Sequence, residues 1–184
     1  MNHLKMLSFV VMATAGLMVF ASSAAATPVL TSPAGNEYTG SLEATANSSL
    51  LLKAGFANFT CLASTIAGSV TTNNSTHAAE AITTLTFSNC GATTVNTITK
   101  GSLTVAPGGT VSGSGSEITF SVFGSSCIYG TKTGTILGTL TGGSPAKMEF
   151  AANLPLVSGG FGCANPATLT GGYTFTKPNP LWID

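Results

Sequence analysis

Residues suited to catalysis or to metal binding are few in this chain. His77 and Glu80 form the one close pair of good metal ligands after the amino-terminal segment, and Asp184 is the only aspartate. A closed zinc site takes four such ligands and calcium takes several clustered oxygens, so we predict no metal and no other cofactor. A catalytic triad would have to use His77, with Glu80 in place of an aspartate, and we interpret His77 as a solvated turn residue.

Two short segments are similar to signatures of serine β-lactamases and penicillin-binding proteins. Ser-Pro-Ala-Lys at 144–147 matches Ser-x-x-Lys, and Lys-Thr-Gly occurs at 132–134. Their order is reversed, a Ser-Asp-Asn signature is missing, and Ser-Pro is typical of a turn. The five glutamates show no spacing that indicates a glycoside hydrolase pair. We therefore predict a non-catalytic protein, with a secreted hydrolase as the weakest alternative.

The four cysteines all follow the amino-terminal segment, and an even count in an exported chain indicates two disulfides. Three pairings are possible. The numbers of facing residues in an antiparallel hairpin sum to a constant. Cys61 and Cys90 would then face each other across a hairpin centred near residue 75, and Cys127 and Cys163 across one centred on Pro145. Both centres lie in turn-like segments, so this register favours Cys61–Cys90 and Cys127–Cys163.

Residues 1–26 have the layout of a cleavable signal peptide. A lysine precedes an uncharged apolar run, and the run ends in three alanines that suit cleavage before Thr27. The run is shorter than the about 20 residues that span a bilayer, so we predict no transmembrane segment after cleavage. We expect residues 27–184 to form a single extracytoplasmic domain, in a periplasm, on the cell surface or in the medium.

Formal charge is scarce. Charged residues make up 7% of the chain, against about 25% in average proteins, and arginine is missing. Recognition of nucleic acid uses clustered lysine and arginine, so we expect no nucleic-acid partner. The chain is nevertheless rich in Val, Ile, Leu and Phe, which disordered chains lack, and it should fold.

Apolar and polar residues alternate with a period of two, most clearly at 118–122 and 147–150. The segments 102–105 and 169–176 repeat this pattern, and clusters of Gly, Pro, Asn and Ser separate such segments. We therefore predict an all-β fold, an antiparallel sandwich or barrel with two disulfide-tied hairpins. A helix over 75–85 is the competing interpretation of that segment.

Three aromatic residues are candidates for a ligand-facing surface: Tyr129, Tyr173 and Trp182. If they were exposed on one face, they would form a platform for a carbohydrate ring or another small molecule. Packing in the core or at a sheet edge is the more frequent role of such side chains.

Three segments resemble a family of small secreted bacterial all-β proteins. They are Cys-Ile-Tyr-Gly at 127–130, Gly-Thr-Leu-Thr-Gly-Gly-Ser-Pro-Ala at 138–146 and Pro-Leu-Trp at 180–182. The resemblance spans most of residues 27–184. It implies export and carries over no activity, ligand or site residue, because the family is uncharacterised in function.

These observations favour a non-catalytic exported protein of a surface, structural or adhesion type. Charges and prolines normally protect sheet edges, and a chain this poor in charge favours lateral strand pairing. We therefore expect self-association or a partner in the cell envelope or outside the cell. A small-molecule or carbohydrate-binding β-sandwich is the alternative.

Overall fold

The computed structural model describes residues 27–184, and its regular structure is β-strand throughout. The predicted signal peptide, residues 1–26, lies outside the described residues. The sixteen strands are β1 (Leu30–Thr31), β2 (Ser41–Ala46), β3 (Leu50–Ala54), β4 (Ala57–Cys61), β5 (Ala63–Asn73), β6 (Ala78–Ser88), β7 (Asn96–Thr99), β8 (Ser102–Val105), β9 (Thr110–Ser114), β10 (Glu117–Val122), β11 (Ser125–Gly130), β12 (Thr135–Thr141), β13 (Lys147–Leu154), β14 (Leu156–Gly159), β15 (Ala167–Lys177) and β16 (Trp182–Ile183). Within residues 27–184, no helix is long and apolar enough to cross a bilayer.

Eight strands close into an antiparallel barrel. Around its wall the order is β13, β12, β9, β8, β6, β5, β2 and β15, and β15 pairs again with β13 to complete the ring. Side chains alternate between the interior and the solvent, as in β13, where every second residue from Met148 to Leu154 is buried. The predicted all-β antiparallel fold is confirmed, and the structure combines both predicted forms because a sandwich extends from this barrel.

The sandwich arises where a second sheet, ordered β14, β11, β10 and β7, packs against β3 and β4. The rings of Phe59 on β4 and Phe120 on β10 meet edge to face, with centroids 5.2 Å apart. Phe120 also stacks on Tyr129 of β11 at 5.1 Å. Aromatic pairs in these geometries stabilise beyond the apolar area that they bury. The Phe59–Phe120 contact therefore crosses between the two layers, and Tyr129 supports Phe120 within the second sheet.

Gly171 lies where β15 exchanges one neighbour for another. The segment 168–170 of β15 pairs with β3, and the segment from Tyr173 onward pairs with β2. A Cβ on Gly171 would lie 3.2 Å from the Cα of Leu50 and would collide with the side chain of that residue. A glycine is required here because β3 crosses too close to β15 for any side chain.

Both predicted disulfides are present. Cys61–Cys90 closes the open end of the β5–β6 hairpin in the predicted register. Ala63 faces Ser88, and the same register brings Cys61, two residues before Ala63, opposite Cys90, two residues after Ser88. Cys127 differs, because it faces Gly159. Its bridge to Cys163 reaches the loop beyond β14, four residues past the position that Cys127 faces.

The segment 75–85 forms a turn followed by β6, so the helical interpretation is wrong. Asn74 stabilises the turn, because its Oδ1 accepts hydrogen bonds from the backbone N–H groups of Thr76, at 2.9 Å, and His77, at 3.0 Å. Pairing of β6 with both β5 and β8 then outweighs the helix propensity of its alanines.

Candidate functional site: the phenylalanine end

Three phenylalanine side chains project from the protein surface into solvent at the sandwich end of the molecule. Phe56 is 98% exposed in the β3–β4 turn, Phe161 is 91% exposed in the loop after β14, and Phe123 is 76% exposed in the β10–β11 turn. Phenylalanine is among the residues most often buried in folded proteins, so three such side chains in solvent call for an explanation. We call these three loop tips the phenylalanine end.

The loop 160–166 lies between the other two tips. A Cβ on Gly55, next to Phe56, would lie 3.1 Å from the Cβ of Ala164. A Cβ on Gly162, next to Phe161, would lie 3.2 Å from Cδ2 of Phe123. Contacts within this one loop therefore connect all three tips, although their positions are widely separated in the sequence.

Two further interactions hold this loop in place. Tyr129 is fully buried, and its hydroxyl donates a hydrogen bond to the carbonyl of Ala164 at 2.8 Å. The disulfide of Cys163 to Cys127 attaches the loop to β11. Because the loop is anchored at Cys163 and at Ala164, directly after the tip that carries Phe161, this tip is organised before it meets any partner.

Phe123 occupies a strained backbone position. The β10–β11 hairpin turns through two residues, Phe123 and Gly124, which both have positive φ, 47° and 80°. Turns of this kind favour Asn-Gly, because a bulky side chain is disfavoured in the left-handed region by about 1–2 kcal/mol. A phenylalanine at this position lowers stability and projects an aromatic ring into solvent, which is the pattern expected of a functional residue.

Replacing Phe123 by asparagine is therefore expected to raise the free energy of unfolding by about 1 kcal/mol, because asparagine tolerates the left-handed conformation. Urea unfolding of the wild type and of Phe123→Asn measures this change. Phe161→Asn is the matched control, since it removes another exposed ring from a residue whose backbone is not in the left-handed region. A Phe123→Asn protein less stable than the wild type would contradict the strain argument.

The phenylalanine end lies in the part of the molecule that lacks formal charge. The loops that carry the three tips, 55–56, 123–124 and 160–166, contain no aspartate, glutamate, lysine or arginine. Lys53, on the exposed side of β3, is the nearest charged residue along the chain to any of the tips, three positions before Phe56. This end is therefore apolar at its tips and neutral in the loops that carry them.

The three aromatic residues singled out from the sequence do not form an exposed platform. Tyr129 is buried, and Tyr173 is 1% exposed, whereas Trp182 is 38% exposed and lies opposite Thr31 where β1 pairs with β16. Tyr173 faces the barrel interior, and its hydroxyl lies 2.6 Å from Oγ of Ser64, which donates to the carbonyl of Thr86. Burial raises the pKa of Tyr173 to about 12, and the hydrogen bond to Ser64 partly offsets the rise.

Tyr129 and Tyr173 also border a cavity between the barrel and the second sheet. Its volume is about 60 Å³, and its other lining residues are mainly apolar. Sites for drug-sized ligands enclose roughly 300–1,000 Å³. The cavity is therefore a packing void near the size of a few water molecules, and it offers no room for a sugar ring.

Glu80 is the most unusual charged residue of the described chain. It is 6% exposed, points into the barrel between Val70 and Leu103 of the neighbouring strands, and has no hydrogen-bond partner at Oε1. A Cβ on Gly68 would collide with this oxygen, so the glycine makes the space that the carboxyl group occupies. Burial raises the pKa of Glu80 to about 7.

The other residues considered for catalysis or metal binding have local structural contacts. Ser144 Oγ donates a hydrogen bond to Oδ1 of Asn179 at 2.9 Å in the turn before β13. Nδ1 of His77 lies 3.1 Å from the hydroxyl of its neighbour Thr76. No group of three or more histidine, cysteine, aspartate or glutamate side chains within residues 27–184 is arranged to hold a metal ion.

Sequence reasoning missed the phenylalanine end. The available signal was local: each of the three phenylalanines has a glycine beside it, at positions 55, 124, 160 and 162. Glycine marks turns and loops, and these segments run over the protein surface.

Comparison of the chain with protein-family models, with curated proteins and with solved structures finds no match.

Proposed function

We propose that this protein is a non-catalytic, exported attachment protein that binds a surface through the phenylalanine end. The observation that carries the proposal is the exposure of Phe56, Phe123 and Phe161 on connected loops. Exposed apolar clusters are unfavourable in water and mark interaction sites. The strain at Phe123 adds support, because a residue chosen for stability alone would be asparagine or glycine.

Export is supported by the two disulfides, which are compatible with an oxidising compartment outside the cytoplasm. The non-catalytic role is supported by the surroundings of the titratable groups. Within residues 27–184, His77 and Asp184 contact threonine hydroxyls. Glu80 is enclosed by the barrel, where a substrate has no access.

Fractionation of the producing cells tests the attachment role. We expect wild-type protein to sediment with the cell envelope and the triple variant Phe56→Ser, Phe123→Asn, Phe161→Ser to move to the soluble exported fraction. Ile136→Ser is the matched control, because it removes a 56% exposed apolar side chain from the barrel wall. Equal distribution of the wild type and the triple variant between the fractions would refute attachment through this end.

Self-association by strand pairing is proposed at a different place, the outer edge of β14. β14 is the terminal strand of the second sheet, its neighbour in that sheet is β11, and Val157 on it is 52% exposed. Charged residues on an edge strand oppose pairing between chains. We expect native mass spectrometry to show oligomers of the wild type at high concentration and monomers of Val157→Lys, whereas Ile136→Lys should still assemble. A strictly monomeric wild type would exclude edge pairing.

Carbohydrate binding is the second candidate, and a groove next to the phenylalanine end favours it. The groove encloses about 420 Å³ between β4 and the loop 89–95, and its lining includes Phe59 and the neutral polar side chains of Asn58, Thr60, Thr93 and Ser121. Hydroxyl and amide groups beside an aromatic ring suit a neutral sugar. Glycan-array binding that is lost in Ser121→Val but survives in the triple phenylalanine variant would support this function over attachment through the tips.

A further inference from the structure

We infer that the surface bound by the phenylalanine end is a lipid bilayer, and that the rings of Phe56, Phe123 and Phe161 insert into its interfacial region. This inference rests on the proposed attachment function and names its partner. It depends on three properties of the end: the shape of the tips, the distribution of charge around them and the rigidity of the loops that carry them.

The tips protrude as separate points. Exposures of 98% for Phe56 and 91% for Phe161 mean that these rings have almost no contact with their own chain. Protein partners obtain most of their binding energy from anchors packed into matching pockets at the centre of a flat, complementary interface. Three separate projecting rings instead suit a medium that closes around each of them, and the boundary between lipid headgroups and acyl chains is such a medium.

The area of the tips also disfavours a second copy of the chain as the partner. A phenylalanine side chain buries about 150–250 Å², so the three exposed rings offer roughly 500 Å² in all. A stable protein interface takes about 800 Å² from each partner. The tips by themselves are therefore too small to hold a dimer, whereas a bilayer needs no matching surface.

The charge distribution permits insertion. Charged side chains strongly oppose entry into the apolar part of a bilayer, and none occurs in the loops that carry the three tips. Lys53 lies three residues before Phe56 and one residue before the end of β3, so its position is set back from the tip. Its ammonium group would lie at the level of the lipid phosphates when Phe56 reaches the acyl chains. With a single lysine, attraction to anionic lipids is weak, so binding should depend little on salt.

The loops are also rigid before binding. The Cys127–Cys163 bridge and the hydrogen bond from Tyr129 to Ala164 fix the loop of Phe161, and the two-residue turn fixes Phe123. A preorganised site loses less conformational entropy on binding than a mobile one. Insertion therefore requires no refolding of this end.

Flotation with phosphatidylcholine vesicles tests the inference on the whole exported chain. We expect the wild type to float with the vesicles, and we expect each single substitution, Phe56→Ser, Phe123→Asn or Phe161→Ser, to lower the partition constant about tenfold. The triple variant should remain in the dense fraction, and Ile136→Ser should float like the wild type. If the wild type and the triple variant float with the vesicles to the same extent, the inference is wrong.

A second measurement identifies the inserted end. Trp182 is the only tryptophan, and it lies on β16, away from the three tips. Brominated lipids should therefore leave wild-type fluorescence unchanged and quench a Phe161→Trp, Trp182→Phe protein. Quenching of Trp182 in the wild type would show that the opposite part of the molecule enters the bilayer, and it would overturn the inference.

The two proposals fail in different ways. If the wild type does not float but sediments with the cell envelope in a manner that depends on the three phenylalanines, the partner is another surface molecule and the lipid inference is wrong. If neither vesicle binding nor envelope binding depends on them, attachment through this end is wrong as well.

Discussion

Removal of the Cys127–Cys163 disulfide by Cys127→Ala and Cys163→Ala is expected to lower the free energy of unfolding by about 4 kcal/mol and to weaken attachment. The two cysteines are 36 residues apart, and closing a loop of this length restricts the unfolded chain by about that amount. The bridge also fixes the loop that carries Phe161. Attachment should weaken because that tip then becomes ordered only on binding.

The Cys61–Cys90 disulfide provides a matched control. Its cysteines are 29 residues apart, so Cys61→Ala with Cys90→Ala should also lower the free energy of unfolding by about 4 kcal/mol. This bridge ties β4 to the loop after β6 and does not hold the loop of Phe161. Urea unfolding and vesicle flotation of both double variants, under conditions where each is folded, separate the two effects. Equal loss of binding in both would contradict a specific role for Cys127–Cys163.

Stability should decrease as the pH rises, because Glu80 is buried without a partner at Oε1. Its pKa is about 7 in the folded protein, against 4.5 for the ordinary group. The folded state therefore binds the proton more tightly than the unfolded state. Below about pH 4.5 both states are protonated and the carboxyl group carries no penalty. Between about pH 4.5 and 7 the unfolded state ionises first, and the free energy of unfolding falls by up to about 3 kcal/mol.

Glu80→Gln removes the ionisable group and keeps its shape. At pH 8 this variant should be more stable than the wild type by up to about 3 kcal/mol, and near pH 4.5 the two should be similar. Urea unfolding across this pH range measures the difference. Glu149→Gln, on the exposed side of β13, makes the same chemical change in solvent and serves as the control. An unchanged pH dependence in Glu80→Gln would show that another group causes it.

The chain's local patterns were sufficient to predict the fold class. Alternation of apolar and polar residues is a property of neighbours along one strand, so β10 and β13 were identifiable from their own residues. The Cys61–Cys90 pair was predictable because the β5–β6 hairpin has the same register next to its turn and at its open end, where its two register shifts have offset each other. Cys127 and Cys163 were also paired correctly, but they do not face each other. Cys127 faces Gly159, four residues before Cys163, in a second sheet that residue spacing does not predict.

Those local patterns could not predict the candidate site. Tyr129 and Tyr173 are of a residue type that often binds ligands. Their burial depends on which sheets pack over them. In the sequence, Glu80 lies between apolar residues of β6. Only the closure of the barrel removes its side chain from water. Phe56, Phe123 and Phe161 are far apart in the chain, and contacts of the loop 160–166 together with the packing of the two layers of the sandwich bring them close.

Local sequence thus accounts for the fold class, the Cys61–Cys90 pair and the scarcity of charge, since these depend on composition and on the register of single strands and hairpins. The barrel closure, the buried carboxyl group and the phenylalanine end depend on contacts between distant segments. Whether a side chain at a turn is exposed or covered is a property of the elements packed around it, and those elements are defined by the tertiary structure.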